Sequence, residues 1–343
     1  MDPILQQFQA SMLASRGVEM PSGRRVELGL GPSSHTNRPL TNIAVSYANR
    51  DLIADAALPI VPVAKRSDTY YRFKPETMLS VAQTNLSGNE GMPGRVAYAL
   101  DTAGSYGVVD HGLMDFVSAD DEANADDPLE PMVTSTEITT NFLLLAREVR
   151  VAAAVFGASN YGSNTAALAG ADRWDVSTSD PVAKILTAIR TPLVRPDTLV
   201  IGEEAWDFLR THPKVLQYVL SRAATTAGVT PLTVTEDNLA ALFGLRKVLV
   251  GRALYNSAVE GQALTAARVW GKSCAIIKAQ DRPNRRRTDT FGYTFRFGSM
   301  ETRTVFNELP GRAGGTYVKV SHADAEEIVA GSNAGFLYTT VVS

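Results

Sequence analysis

Residues 69 to 117 limit the possible folds of this chain more than any other stretch. They read as two long strands, yet they are too polar and too rich in glycine to hold together alone. Thr69-Tyr70-Tyr71-Arg72-Phe73-Lys74 alternates like a strand, and so does the run from Tyr106 through Val108, Val109 and Leu113 to Phe116. Between them, Asn85 to Arg95 carries Gly88, Gly91, Pro93 and Gly94, which are residues of turns and flexible tips. The pattern predicts a β-hairpin with strands of about fifteen residues, reaching roughly 50 Å at about 3.3 Å per residue. An isolated two-stranded ribbon is marginal in water. A monomeric enzyme has little use for one of this length, whereas a chain that rests on its neighbours does.

An acidic break follows, Asp120-Asp121-Glu122 to Asp126-Asp127-Pro128, and then one long helix predicted over 134–157. Thr134 and Glu137 have the spacing of a capping box. Ile138, Phe142, Leu145, Val149, Ala152 and Phe156 form an apolar stripe, and Arg147 and Arg150 fall off it. The helix would be roughly 35 Å long. Burying its large stripe residues would contribute about 6–12 kcal/mol before entropy.

A compact α/β region follows. Asp180-Pro181 starts a helix with Val182, Ile185, Leu186 and Ile189 on one side, stopped by Pro192. Pro196 to Gly202 reads as a short buried strand, and two short helices are broken at His212-Pro213. Thr235 to Phe243 is a helix closed by Gly244. Strands are predicted at Lys247–Val250 and Ala267–Lys278. Phe291, Tyr293, Phe295 and Phe297 alternate as a half-buried strand, turning at Gly298-Ser299 into a hairpin partner, Thr302–Phe306. Thr316–Val320 and Phe336–Val342 add two short strands. Residues 1 to 40 are loop-like, with a short helix at Ile4–Ser15, and read as an arm ordered by binding.

The 343 residues are 45% apolar, enough for a real core. A net charge of −3 argues against strong non-specific affinity for nucleic acid. Cys274 is the only cysteine, so no internal disulfide forms. The N-terminus lacks the pattern of a signal peptide, and no apolar run is long enough to span a bilayer.

Each candidate for chemistry falls short of its motif. Gly271-Lys272-Ser273 resembles the end of a phosphate loop, but Ala266 stands where the first glycine belongs. Asp120, Glu122, Asn124 and Asp126 have calcium-loop spacing, but Ala125 replaces the turn glycine and Pro131 the closing glutamate. His35, His111, His212 and His322 lie at no metal-ligand spacing. Arg285-Arg286-Arg287 is the one dense basic run, placed to pair with a neighbour's carboxylates or with solvent. The residues point to no catalytic, cofactor or metal site.

The order of segments resembles the major capsid protein of tailed bacteriophages. Ile53 to Val63 is similar to that family's entry into its extended loop. Arg195 to Gly202, with Trp206, Leu209 and His212-Pro213, is similar to its peripheral domain. Leu245 to Asn256 and Val269 to Lys272 are similar to its axial domain. The resemblance implies an α+β tailed-phage capsid fold with an N-terminal arm (1–64), an extended β-loop (65–118) and a long spine helix with the peripheral domain (119–225). An axial domain (226–283), peripheral strands (284–315) and a C-terminal axial segment (316–343) complete it. It implies a non-enzymatic subunit that self-assembles, as hexamers and pentamers, into an icosahedral shell around the viral genome. Portal and scaffolding proteins would be assembly partners, DNA contact would be weak and non-specific, and no membrane would be involved. The subunit would be made in the host cytoplasm and reside in the virion. Gly88, Gly91, Arg95, Arg147, Arg150, Arg285, Arg286 and Arg287 are the assembly candidates. The alternatives are a soluble hydrolase or nucleotide enzyme, and a non-viral nanocompartment shell of the same fold.

Overall fold

Two sheets and one long helix that touches both organise the chain. The computed structural model describes residues 35–36, 38–46, 51–73, 100–125, 130–223, 234–259, 261–281 and 290–343. In chain order come β1 (His35–Thr36), α1 (Arg38–Ser46), α2 (Ala54–Ala57), β2 (Ile60–Val63), β3 (Ser67–Phe73), β4 (Leu100–Gly107), β5 (Val109–Ser118) and α3 (Ala119–Asn124). Next are α4 (Pro131–Val155), β6 (Thr165–Ala167), α5 (Pro181–Arg190), β7 (Thr198–Gly202), α6 (Glu203–Thr211), α7 (Pro213–Ala223) and α8 (Glu236–Phe243). Then follow β8 (Lys247–Gly251), β9 (Leu254–Asn256), β10 (Ala266–Arg268), β11 (Cys274–Ile277), β12 (Gly292–Phe297) and β13 (Glu301–Asn307). The chain closes with β14 (Gly315–Ile328), α9 (Gly331–Ala334) and β15 (Gly335–Thr339).

The first sheet has the order β1-β13-β14-β12-β2, with β5 also on β14. Asp324 of β14 pairs with Arg296 of β12 on one side and Val109 of β5 on the other. β12 and β13 therefore lie end to end along one side of β14, both antiparallel to it. The predicted hairpin between them is not formed. β14 is 14 residues long and serves both strands, so the chain needs only a local offset, which Gly298 supplies at φ 74°.

Ribbon β3–β4 is antiparallel from Ser67↔Gly107 to Phe73↔Leu100. Its root packs on the first sheet, with Tyr106 stacked on Phe295 at 4.5 Å. Val109 to Phe116, read from the sequence as the ribbon's second strand, belongs instead to β5 and the first sheet. Gly88, Gly91, Pro93, Gly94 and Arg95 lie outside the described residues, as do Ile4–Ser15 and Arg285 to Arg287.

The second sheet has the order β6-β15-β11-β7-β8. Successive residues of its strands alternate between two cores. Leu199, Ile201, Cys274, Ile276, Phe336 and Tyr338 join one core with α5 to α8. Val200, Ala275, Ile277 and Leu337 join the other, with Leu58, Trp270 and the end of α4. Burial on both faces explains the unbroken apolar run at Leu199-Val200-Ile201.

The predicted helix ends here are local and hold. Asp180 accepts from Ala183 N at 3.0 Å, Thr235 accepts from Asn238 N, and Gly244 closes α8 at φ 65°. Other expectations need correction. Helix α1 replaces the loop-like reading of the segment before residue 41, with Pro39 in the first turn, where a missing N–H costs nothing. Ala267–Lys278 is two strands, interrupted at Gly271, which takes φ 47°. β7 and β8 are parallel neighbours in one sheet, so a boundary between 119–225 and 226–283 cuts a single sheet and core. The tail, 316–343, is likewise divided: β14 is in the first sheet and β15 in the second.

Candidate assembly interface

Helix α4 turns its polar side inward. It starts at Pro131 after Glu130, upstream of the predicted capping box, and Thr134 lies inside it, its N–H donating to Glu130 O at 3.0 Å. Proline at the first helical position suits the start, because that residue needs no N–H partner. Ser135, Thr136, Thr139, Thr140, Leu143, Arg147, Glu148 and Val151 are buried. Of the predicted stripe, Ile138, Phe142 and Val149 are exposed, Phe142 by 57%, and Ala152 is buried. The stabilisation expected from burying Ile138, Phe142 and Val149 is therefore missing within one subunit, while Phe156 packs edge-on against Trp270.

Several of the buried polar groups have partners, although the Ser135 hydroxyl has no hydrogen bond. Thr136 and Thr140 donate their hydroxyls to carbonyls one turn back, at 2.8 and 2.6 Å. Arg147 pairs with Asp55 of α2, lies 3.4 Å from Asp324 of β14, and donates to Thr294 of β12 at 3.2 Å. Arg296 grips Asp324 with two hydrogen bonds of 2.7 Å. Burial alone would raise the Asp324 carboxyl, but the Arg296 hydrogen bonds and nearby positive charge hold it below its ordinary value. Glu148 accepts from Ile53 N at 2.8 Å, Ala54 N at 2.9 Å and Trp270 Nε1 at 2.6 Å. Burial still pushes its carboxyl up. One turn of α4 thus fastens α2, the first sheet and the loop before β11 together.

His322 of β14 is buried beside this network, with Nε2 3.2 Å from Asp324 Oδ2 but outside hydrogen-bond geometry. It faces Asp324 on its own strand, Arg296 on β12, Arg147 on α4 and His111 on β5. Burial, with the arginines, pushes its imidazole down to about 4, against the pull of Asp324.

Of the candidate residues, Arg147 is corrected: it is sealed inside the subunit and cannot reach a neighbour. Arg150 pairs with Glu326 at 3.0 Å at the edge of the same network. Lys272 sits in a turn, donating to Ser343 O at 2.5 Å, with no helix after it to receive a phosphate. Asp120 and Glu122 lie in α3, whose first turn is capped by Ser118 Oγ accepting from Asp121 N at 3.1 Å. His212 is buried at the helix break, and burial pushes the Cys274 thiol up. Among the described residues no helix is long and apolar enough to cross a membrane.

What the sequence reading missed is the outward surface. From Ile138 to Ala146, α4 carries no charge, and its later charges, Arg147, Glu148 and Arg150, point inward or to its flank. β5 is paired only with β14 among the described residues. Val109, Leu113, Met114 and Phe116 along it are exposed. Leu309, at the turn between β13 and β14, is 89% exposed. The signal was present in the sequence as Thr and Ser on one side of the helix and uncharged apolar residues on the other.

A subunit that pairs these charges inside and leaves apolar residues of α4 and β5 exposed has the surface of a protein that associates with others. No protein-family model matches the chain. It is 31% identical over 306 residues to the major capsid protein of Pseudomonas phage JBD67, across 89% of this chain and 96% of that one. The chain belongs to the major capsid proteins of tailed bacteriophages. Its fold is similar to a phage-related protein of Bordetella bronchiseptica, at TM-score 0.67 and 22% identity over 90% of this chain and 98% of that one. It is also similar to the capsid of cyanophage P-SCSP1u, at TM-score 0.56 and 12% identity over 94% and 96% of the two chains. It is a capsid shell protein of the virion head, built on the tailed-phage α+β fold, and assembles with copies of itself.

Proposed function

We propose that the outer face of α4 and the free edge of β5 are where copies of this chain meet, as hexamers and pentamers of the shell. In this reading the first sheet with α4 is the peripheral domain, and the second sheet with α5 to α8 is the axial domain converging at the capsomer centre. The first sheet and α4 hold residues 38–46 and 51–63 within the subunit, so of the expected arm (1–64) it is residues 1–34 that reach beneath a neighbour's α4, and the ribbon lies over the adjacent subunit. Portal and scaffolding proteins are assembly partners, packaged DNA is touched weakly, synthesis is in the host cytoplasm, and the chain's work is binding rather than catalysis. The exposed apolar residues Ile138, Phe142 and Val149 on one side of α4 carry the reading, since apolar residues grouped on an exposed face mark an interaction surface.

The test is Phe142→Glu. The variant should melt like the parent chain as a subunit while light scattering shows loss of particles. Normal particle yield from it would overturn the assignment of this face.

A further inference from the structure

A cavity of about 510 Å³ opens on the first sheet where β12 gives way to β13. Along β14 the ladder pairs Ser321 with Glu301 of β13 and resumes at Asp324 with Arg296 of β12. Between those pairs the chain from Phe297 to Met300 runs opposite only His322 and Ala323, so the ladder is interrupted there. Val320 is buried in one cluster with Leu143 of α4, so Lys319 and Ser321, on either side of it in the strand, face away from the helix. Register partners share that face. Arg303 stands opposite Lys319, and Glu301 and Gly112 flank Ser321.

Three cations, Arg66, Arg303 and Lys319, line the cavity with two carboxylates, Asp110 and Glu301. Arg66 holds Asp110 through two hydrogen bonds of 2.9 Å, and Arg303 holds Glu301 at 2.9 Å. Lys319 makes no ion pair or hydrogen bond among the described residues. Its charge acts on Asp110 only from a distance, adding to the Arg66 hydrogen bonds that hold that carboxyl below its ordinary value. Like charges directly opposite on one face repel, and here Arg303 and Lys319 are such a pair. Gly112 leaves room over the floor, since a Cβ there would stand 3.4 Å from Lys319 Cε. Neutral donors line the cavity too. The backbone N–H groups of Gly298, at φ 74°, and of Ser299 donate to nothing among the described residues. Nor do the hydroxyls of Ser299 and Ser321. Successive N–H groups about a left-handed residue form a concavity that favours anions.

We propose that this cavity binds one small oxyanion of the phosphate class, held by Lys319 and Arg303 together with the Gly298 and Ser299 amides. Asp110 and Glu301 would repel the flanking phosphates of a nucleic-acid strand, so a single isolated anion suits the site better than a polyanion. The ligand would relieve the repulsion between Arg303 and Lys319. Arg66 immediately precedes β3, so the anion would also brace the root of the ribbon against β13 and β14. The site stands whether or not the outer face of α4 is an interface.

The experiment uses the full chain and inorganic phosphate, titrated by calorimetry at constant ionic strength, with chloride as the control. Binding should saturate at one phosphate per chain, and phosphate should raise the melting temperature by mass action. Sulfate should compete. Lys319→Gln should melt like the parent without phosphate and bind it about tenfold more weakly, as expected for losing a charged hydrogen-bond donor. Glu301→Gln should bind it more tightly, because Arg303 is then released from its carboxylate. These opposite shifts separate a direct role in binding from general damage to the sheet. Heats no larger than those of chloride would overturn the site, and so would unchanged affinity in Lys319→Gln. A short oligonucleotide that binds more tightly than phosphate, and loses that binding in Lys319→Gln, would overturn the small anion as occupant in favour of nucleic acid.

Discussion

The sheet of β6, β15, β11, β7 and β8 is covered on both faces, whereas the sheet of β5 and β12 to β14 leaves β5 at an open edge with Val109, Leu113, Met114 and Phe116 exposed. The covered sheet spends its apolar residues on its own two cores. The open sheet and α4 instead keep paired charges inside and expose Ile138, Phe142 and Val149. A subunit that must be stable alone and also join neighbours divides the two tasks between regions. Burial of apolar surface is non-directional and adds at any interface, so what one copy leaves uncovered remains for the next.

The inward charges give the sharpest way to break this comparison. Arg147→Ala removes a buried arginine and leaves Asp324 with Arg296 as its remaining arginine partner, and should cost the unassembled subunit about 3 kcal/mol, read from urea melts. An unchanged melt would mean that the buried network carries no stability and that the contrast is only one of position.

A pH series probes the same network. Folded His322 titrates near 4, below its ordinary 6.5, so between those values the unfolded chain binds the proton and the folded one resists it. Its contribution is whole above 6.5 and lost as pH falls toward 4, a change on the order of 3 kcal/mol. The slope of stability across that window should flatten in His322→Gln. Parallel slopes in the two proteins would remove His322 from the account.

The covered sheet should answer more mildly to a small cavity. Ile276→Val, fully buried in β11, should cost about 0.5–1.5 kcal/mol and leave particle formation normal once the subunit has folded. Particle loss without a shift in melting would place that core at an interface, against the division drawn above.

The smallest effect on the subunit is expected at the open edge. Met114 is 69% exposed on β5. Met114→Lys should change subunit stability by no more than about 0.5 kcal/mol yet reduce particle yield. A large fall in melting temperature would show that the outer face of β5 belongs to the subunit's own fold.

Much of the fold is legible where its causes are local. The caps at Asp180 and Thr235 and the stop at Gly244 depend on groups within a turn of one another. The apolar run at β7 declares a strand covered on both sides, and the order of segments resembles a capsid subunit. The candidate site was less legible. Arg147 looked like an outward charge because its partners, Asp55 and Thr294, lie 92 and 147 residues away in sequence. The apolar stripe of α4 looked like core for the same reason: amphipathicity shows that a helix has two faces, not which one the rest of the chain covers. β12 and β13 looked like a hairpin because nothing near Gly298 reveals the length of β14.

The amino-acid order by itself determined where helices cap, which segments can be strands, that the ribbon needs support, and the family to which the chain belongs. Tertiary structure alone decided that β14 serves two strands at once, that β7 and β8 share a sheet, and that α4 buries Arg147 and Glu148 while exposing Phe142. Capping and periodicity are settled by hydrogen bonds and side chains a few residues apart. The facing of a helix and the neighbours of a strand are settled by partners brought together only when the whole chain has folded.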